Sequence, residues 1–108
     1  MSFRDRDFLK RMIEQLSQLV AAVAGKRRGV PPEVLVDELR REKEDLLGVP
    51  LVVLDALPPH AVRDAVGGDR ALAAYRQVLS LEADLLDDAG RHDEAATVRR
   101  RHDALEAP

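Results

Sequence analysis

The run Phe8-Leu9-Lys10-Arg11-Met12-Ile13-Glu14-Gln15-Leu16-Ser17-Gln18-Leu19-Val20-Ala21-Ala22-Val23 decides the fold class. Phe8, Leu9, Met12, Ile13, Leu16, Leu19, Val20 and Val23 recur at steps of three and four, and Lys10, Arg11, Glu14, Gln15 and Gln18 fill the opposite face. This is the wide apolar stripe of an amphipathic helix. Ser2 or Asp5 is placed to cap its start. Gly25 is placed to end it, and Lys26, Arg27 and Arg28 follow where cations suit a helix C-terminus. The predicted helix covers residues 4–24.

Downstream, helices alternate with proline and glycine breaks. Pro31-Pro32 opens a second helix, since proline is at home in a first turn. It runs to Leu47 and carries Leu35, Leu39, Leu46 and Leu47, with Val34 and Val36 near its start. Residues 40–45 are all charged, so this helix is expected on the surface with one narrow buried edge. Pro50, Pro58-Pro59 and Gly67-Gly68 divide residues 50–67 into two short helices. Val52, Val53, Leu54 and Leu57 would suit a strand, but no second strand exists to pair with it. Asp69 is an expected N-cap for a helix over 70–88, with Leu72, Tyr75, Val78, Leu79, Leu85 and Leu86 on its buried face. Gly90 ends it. A last helix over 92–105 has a thin apolar face of Ala95, Ala96, Val98, Ala104 and Leu105. Short turns between long helices predict one all-α domain over residues 1–108, an antiparallel bundle of four to six helices.

Composition narrows the function classes. A chain of 108 residues has room for one modest core. Its net charge of −3 does not draw it towards nucleic acid or an anionic membrane. There is no Cys, which removes disulfides, thiolate metal sites and cysteine nucleophiles. The Ala/Arg/Asp bias and the lack of Asn suggest a GC-rich bacterial source. Asp5, Asp7, Glu14, Gln15 and Gln18 interrupt the N-terminal apolar stretch, so it does not read as an export signal. No apolar run approaches the ~20 residues of a membrane span. A cytoplasmic protein is expected.

Two resemblances follow from particular residues. Asp88-Ala89-Gly90-Arg91-His92-Asp93-Glu94-Ala95-Ala96, running on to Leu105, resembles the turn and second helix of a tetratricopeptide repeat. Gly90, Asp93, Glu94 and Ala95 match that motif. Arg99 and His102 depart from it, as does Glu82, which stands where an apolar residue is usual. The likeness covers one hairpin, and no second copy recurs, which speaks against a standard array. The run Asp7 to Leu16 also resembles the opening helix of small uncharacterised bacterial helical proteins. That likeness implies a bacterial domain with a repeat-like tail and transfers no catalytic residue.

Chemistry-bearing residues are sparse. His60, His92 and His102 form no i, i+4 pair, so no metal site is expected. Ser2, Ser17, Ser80 and Thr97 stand in no nucleophile elbow, and Gly25-Lys26-Arg27-Arg28-Gly29 lacks the features of a phosphate loop. No catalytic residue and no cofactor is expected, and the chain does not read as an enzyme. Glu82, Asp84, Asp87 and Asp88 lie opposite Arg99-Arg100-Arg101 and read as two solvated faces attracting each other across a hairpin.

The leading expectation is a protein-interaction or structural module that self-associates, as a homodimer, through its first helix. That helix offers eight large apolar residues, while the second and last helices offer thin faces to cover them. Phe8, Met12, Leu16, Leu19 and Val23 are the expected interface residues. The alternative is nucleic-acid binding through the basic clusters 26–28 and 99–101.

Overall fold

The first helix, α1 (Phe3–Gly25), carries the stripe that the sequence announces. The computed structural model describes residues 3–106, with side chains from Asp7 onward. Ser2, an expected cap, lies outside the described residues, and Asp5 falls within α1 itself. The turn after α1 closes by Lys26 N–H donating to the Val23 carbonyl (3.0 Å) and Val30 N–H to that of Lys26 (3.1 Å). Helix α2 (Pro32–Leu47) begins with proline in its first turn and ends at Gly48. Two short helices follow, α3 (Leu51–Ala56) and α4 (Pro59–Val66), each entered from a proline in extended geometry.

Gly67 then turns the chain at φ 114°, and a Cβ there would stand 2.5 Å from Leu9 Cδ1. Glycine therefore satisfies both a backbone angle and a close approach. Gly68, not Asp69, is the cap residue of α5 (Asp69–Asp88). Asp69 opens the helix itself and faces Arg63 at 3.5 Å. The α5–α6 turn closes with Gly90 at φ 77° and with Arg91 N–H donating to the Leu86 carbonyl (2.8 Å), before α6 (His92–Ala104) begins. No strand is present among the described residues.

Helix α5 is the hub of the bundle, and α1, α2, α4 and α6 all pack on it. Its buried residues are Ala71, Ala74, Tyr75, Val78, Leu79, Leu81, Glu82, Ala83, Leu85 and Leu86, which occupy most of its circumference. Leu9 of α1 meets Gly67 near the start of α5, and Arg27 beyond α1 meets Asp88 at its end. Helices α1 and α5 therefore run parallel. Each is antiparallel to its neighbour in sequence, α2 or α6. The molecule measures 44 × 26 × 21 Å, with the long helices setting the long axis.

Four of the five expected interface residues lie inside the bundle. Met12, Leu16, Leu19 and Val23 are buried in the chain's own core, between 0 and 8% exposed. The cover missing from α2 and α6 comes from α5, whose apolar residues surround it rather than lining one face. Of the five expected interface residues only Phe8 faces outward, 66% exposed. Each fully buried leucine contributes roughly 1.5–3 kcal/mol. Opening this core to pair with another chain would forfeit several such terms.

Candidate functional site

The charged stretch of α2 contributes to its buried edge: Lys43 is buried, with a side chain 3% exposed. Lys43 lies four residues beyond Leu39 and so shares its helix face. That face meets α5 where Glu82 replaces an apolar residue. Lys43 Nζ donates to Glu82 Oε1 at 2.6 Å, and Arg40 Nε donates to Glu82 Oε2 at 3.1 Å. Both carboxylate oxygens are thereby satisfied. The Lys43 ammonium also stands 5.7 Å from the centroid of the Tyr75 ring, where the negative face of the aromatic attracts a cation. No buried polar side-chain atom among the described residues is left without a partner.

Above this pair lies a groove of about 460 Å³. Helix α2 forms one wall through Arg40 and Lys43. Helix α6 forms the other through Asp93, Glu94, Thr97, Val98 and Arg101, Glu82 of α5 lies in the floor, and α3 closes one end with Leu51 and Asp55. Two further ion pairs span the walls, Arg40 Nη2 to Glu94 Oε2 at 3.6 Å and Arg101 Nη1 to Asp55 Oδ1 at 3.2 Å. Glu94 is also held by Arg91, through bonds of 3.0 and 2.8 Å. The hydrogen bonds from Arg91 keep its carboxyl below the usual glutamate range, so it is an anion at neutral pH. Burial raises the Tyr75 hydroxyl above the usual tyrosine value, and Asp55 and Glu82 nearby add to the shift. Tyr75 is therefore a neutral hydroxyl and a poor proton acceptor at physiological pH.

The groove's three cations, Arg40, Lys43 and Arg101, are each bound to a carboxylate of the chain. Among its four acids, Asp93 alone has no ion pair among the described residues. Chemically the groove can receive a cationic group at the Asp93 end and aliphatic surface along Val98 and Leu51. Leading out of it, α3 turns Val52 (78% exposed) and Val53 (48%) to solvent.

Of the basic clusters considered for nucleic acid, Lys26, Arg27, Arg99 and Arg101 pair with carboxylates, while Arg28 and Arg100 have no ion pair among the described residues. Lys26 pairs with Glu38 at 2.8 Å and Arg27 with Asp88 at 2.9 Å. Arg99 bridges Asp84 at 3.0 Å and Asp87 at 2.6 Å, and Arg101 is held by Asp55. The expected attraction across the hairpin is thus present for Asp84 and Asp87. Glu82 belongs instead to the other side of α5. His92 pairs with Asp87 at 2.8 Å, and His102 sits beside Asp103 at 3.0 Å. No group of His, Asp or Glu among the described residues is arranged to hold a metal ion. No helix among them is long and apolar enough to cross a membrane.

Sequence reasoning missed Lys43 and Tyr75 as parts of one site. The available signal was Glu82, an acid inside an apolar face, which demands a cationic partner from another helix. No family model, curated protein or solved structure matches this chain.

Proposed function

We propose that the protein is a helical protein-interaction module that takes a cationic and aliphatic segment of a partner protein into the α2–α6 groove. One observation carries the reading: the cations of the groove are neutralised internally, whereas Asp93 on its rim has no ion pair among the described residues. The field offered to a partner is therefore negative, and the half-buried Leu51 of α3 adds apolar surface to it. A segment with Lys or Arg next to aliphatic side chains complements both.

Peptide selection on the whole chain tests this reading. Selected peptides are expected to place a basic residue beside aliphatic ones and to perturb amide resonances of Asp93, Thr97 and Val98. Asp93→Lys should abolish their binding. Selected peptides that bind the Asp93→Lys protein equally well would exclude the groove.

Self-association is a second reading, favoured by the exposure of Phe8. Light scattering over a range of concentrations should then give a dimer mass that Phe8→Glu reduces to that of the monomer. An unchanged mass would remove Phe8 from any interface.

A further inference from the structure

Helix α3 is attached to the rest of the molecule unlike any other element. It has six residues, fewer than an isolated helix needs to persist in water. Pro50 precedes it and Pro58-Pro59 follows it, and proline nitrogens carry no hydrogen to continue a neighbouring helix. Val53 and Leu54 N–H donate to the Pro50 carbonyl, and Leu57 N–H to that of Leu54. Among the described residues, no backbone-to-backbone bond joins residues 50–57 to another helix.

Four attachments remain. Leu54 is the buried anchor, 1% exposed, and Leu57, just past the helix, is partly buried against the core. Leu51 N–H donates to the Glu44 side chain at 3.3 Å, and Asp55 pairs with Arg101 across the mouth of the groove at 3.2 Å. The last two are polar bonds at exposed or half-exposed positions, where water competes. An element with one fully buried side chain, one partly buried neighbour and solvated ties belongs to the low end of local stability.

We propose that α3 is a lid on the α2–α6 groove, latched by Asp55 and Arg101, which swings as a unit between the proline brackets to lengthen the groove towards Tyr75. Pro50 and Pro58 keep their fixed φ, and Gly48, at φ 69° with open space around it, is the position that absorbs the change in direction. Release of Asp55 frees the Arg101 guanidinium, and the outward valines travel with the lid. The inference rests on the groove reading only for its consequence, that α3 admits or retains the occupant.

Hydrogen exchange on the intact chain, with no partner present, tests the motion. Amides of residues 53–57 are expected to exchange at least about tenfold faster than those of Val78 to Leu86. Asp55→Asn should accelerate residues 53–57 further while leaving α1 and α5 unchanged. Arg101→Gln, which removes the same bond from the α6 side, should reproduce that pattern. Tyr75 is the sole tyrosine and there is no tryptophan, so its fluorescence reports solvent access beyond the groove. Its quenching by acrylamide should rise in both variants. Exchange of residues 53–57 in step with α5, or acceleration spread over the whole chain in both variants, would overturn the lid. A mobile α3 in a protein that selects no peptide would sink the groove reading and leave the lid standing. Peptide binding with an immobile α3 would do the reverse.

Discussion

Two ion pairs of equal length lie on different sides of α5, and they are not equivalent. Lys43–Glu82 joins α2 to α5 at 2.6 Å with both side chains almost wholly buried. Arg99–Asp87 joins α6 to α5 at the same 2.6 Å with side chains 45 and 34% exposed. Distance does not separate them; the solvent around them does. In water the Coulomb attraction is mostly screened and breaking the pair leaves two hydrated ions. In the core, removing one partner strands the other without solvation.

The largest effect is therefore expected from Glu82→Ala, which leaves the Lys43 ammonium buried. Urea denaturation should show a loss of about 3–5 kcal/mol. The comparison sharpens with the double variant Lys43→Met/Glu82→Leu, which should fall within about 1 kcal/mol of the wild type or exceed it, because two apolar side chains of similar size avoid the desolvation cost. A double variant as unstable as Glu82→Ala would mean that the loss is one of shape and not of charge. Arg40 touches both seams, at Glu82 and at Glu94. Arg40→Ala should lie between, at about 1–1.5 kcal/mol, since Lys43 continues to satisfy one Glu82 oxygen.

Arg99→Ala should leave the denaturation midpoint within replicate scatter, and added salt should erase any residue of an effect. The smallest effect is a titration. The His92 hydrogen bond, followed by that of Arg99, holds the Asp87 carboxyl below the usual aspartate value. A depressed folded-state pKa stabilises the fold above the unfolded value of about 3.9 and loses that contribution as pH falls through the folded value. Carboxyl resonances should show Asp87 titrating below the ordinary range. His92→Ala and Arg99→Ala should each move its midpoint back towards that range.

The same contrast explains what was legible in the sequence. The hairpin pairing of Arg99 with Asp84 and Asp87 could be read because both partners lie in adjacent helices joined by a short turn. The stripe of α1 was legible because its period is that of the helix. Its destination was not, because the expectation weighed α1 against the thin faces of α2 and α6 and treated α5 as one-sided. Lys43 escaped notice because 39 residues separate it from Glu82, and a charge among charges gives no periodic signal. Only Glu82 stood out, and it pointed to a missing partner without identifying it. The thin face of α6 suffices because Ala95, wholly buried, lets its backbone approach α5 closely.

The parallel pairing of α1 with α5 also has a consequence during synthesis. The stripe ending at Val23 is covered in part by α2 and in full only when α5 is complete at Asp88. At roughly 5–20 residues per second, that interval lasts roughly 3–13 s. For that time α2 alone packs on the amphipathic helix, and part of its stripe stays open. The surplus apolar surface suggested by the first helix is thus a property of the unfinished chain, and the arrival of α5 removes it.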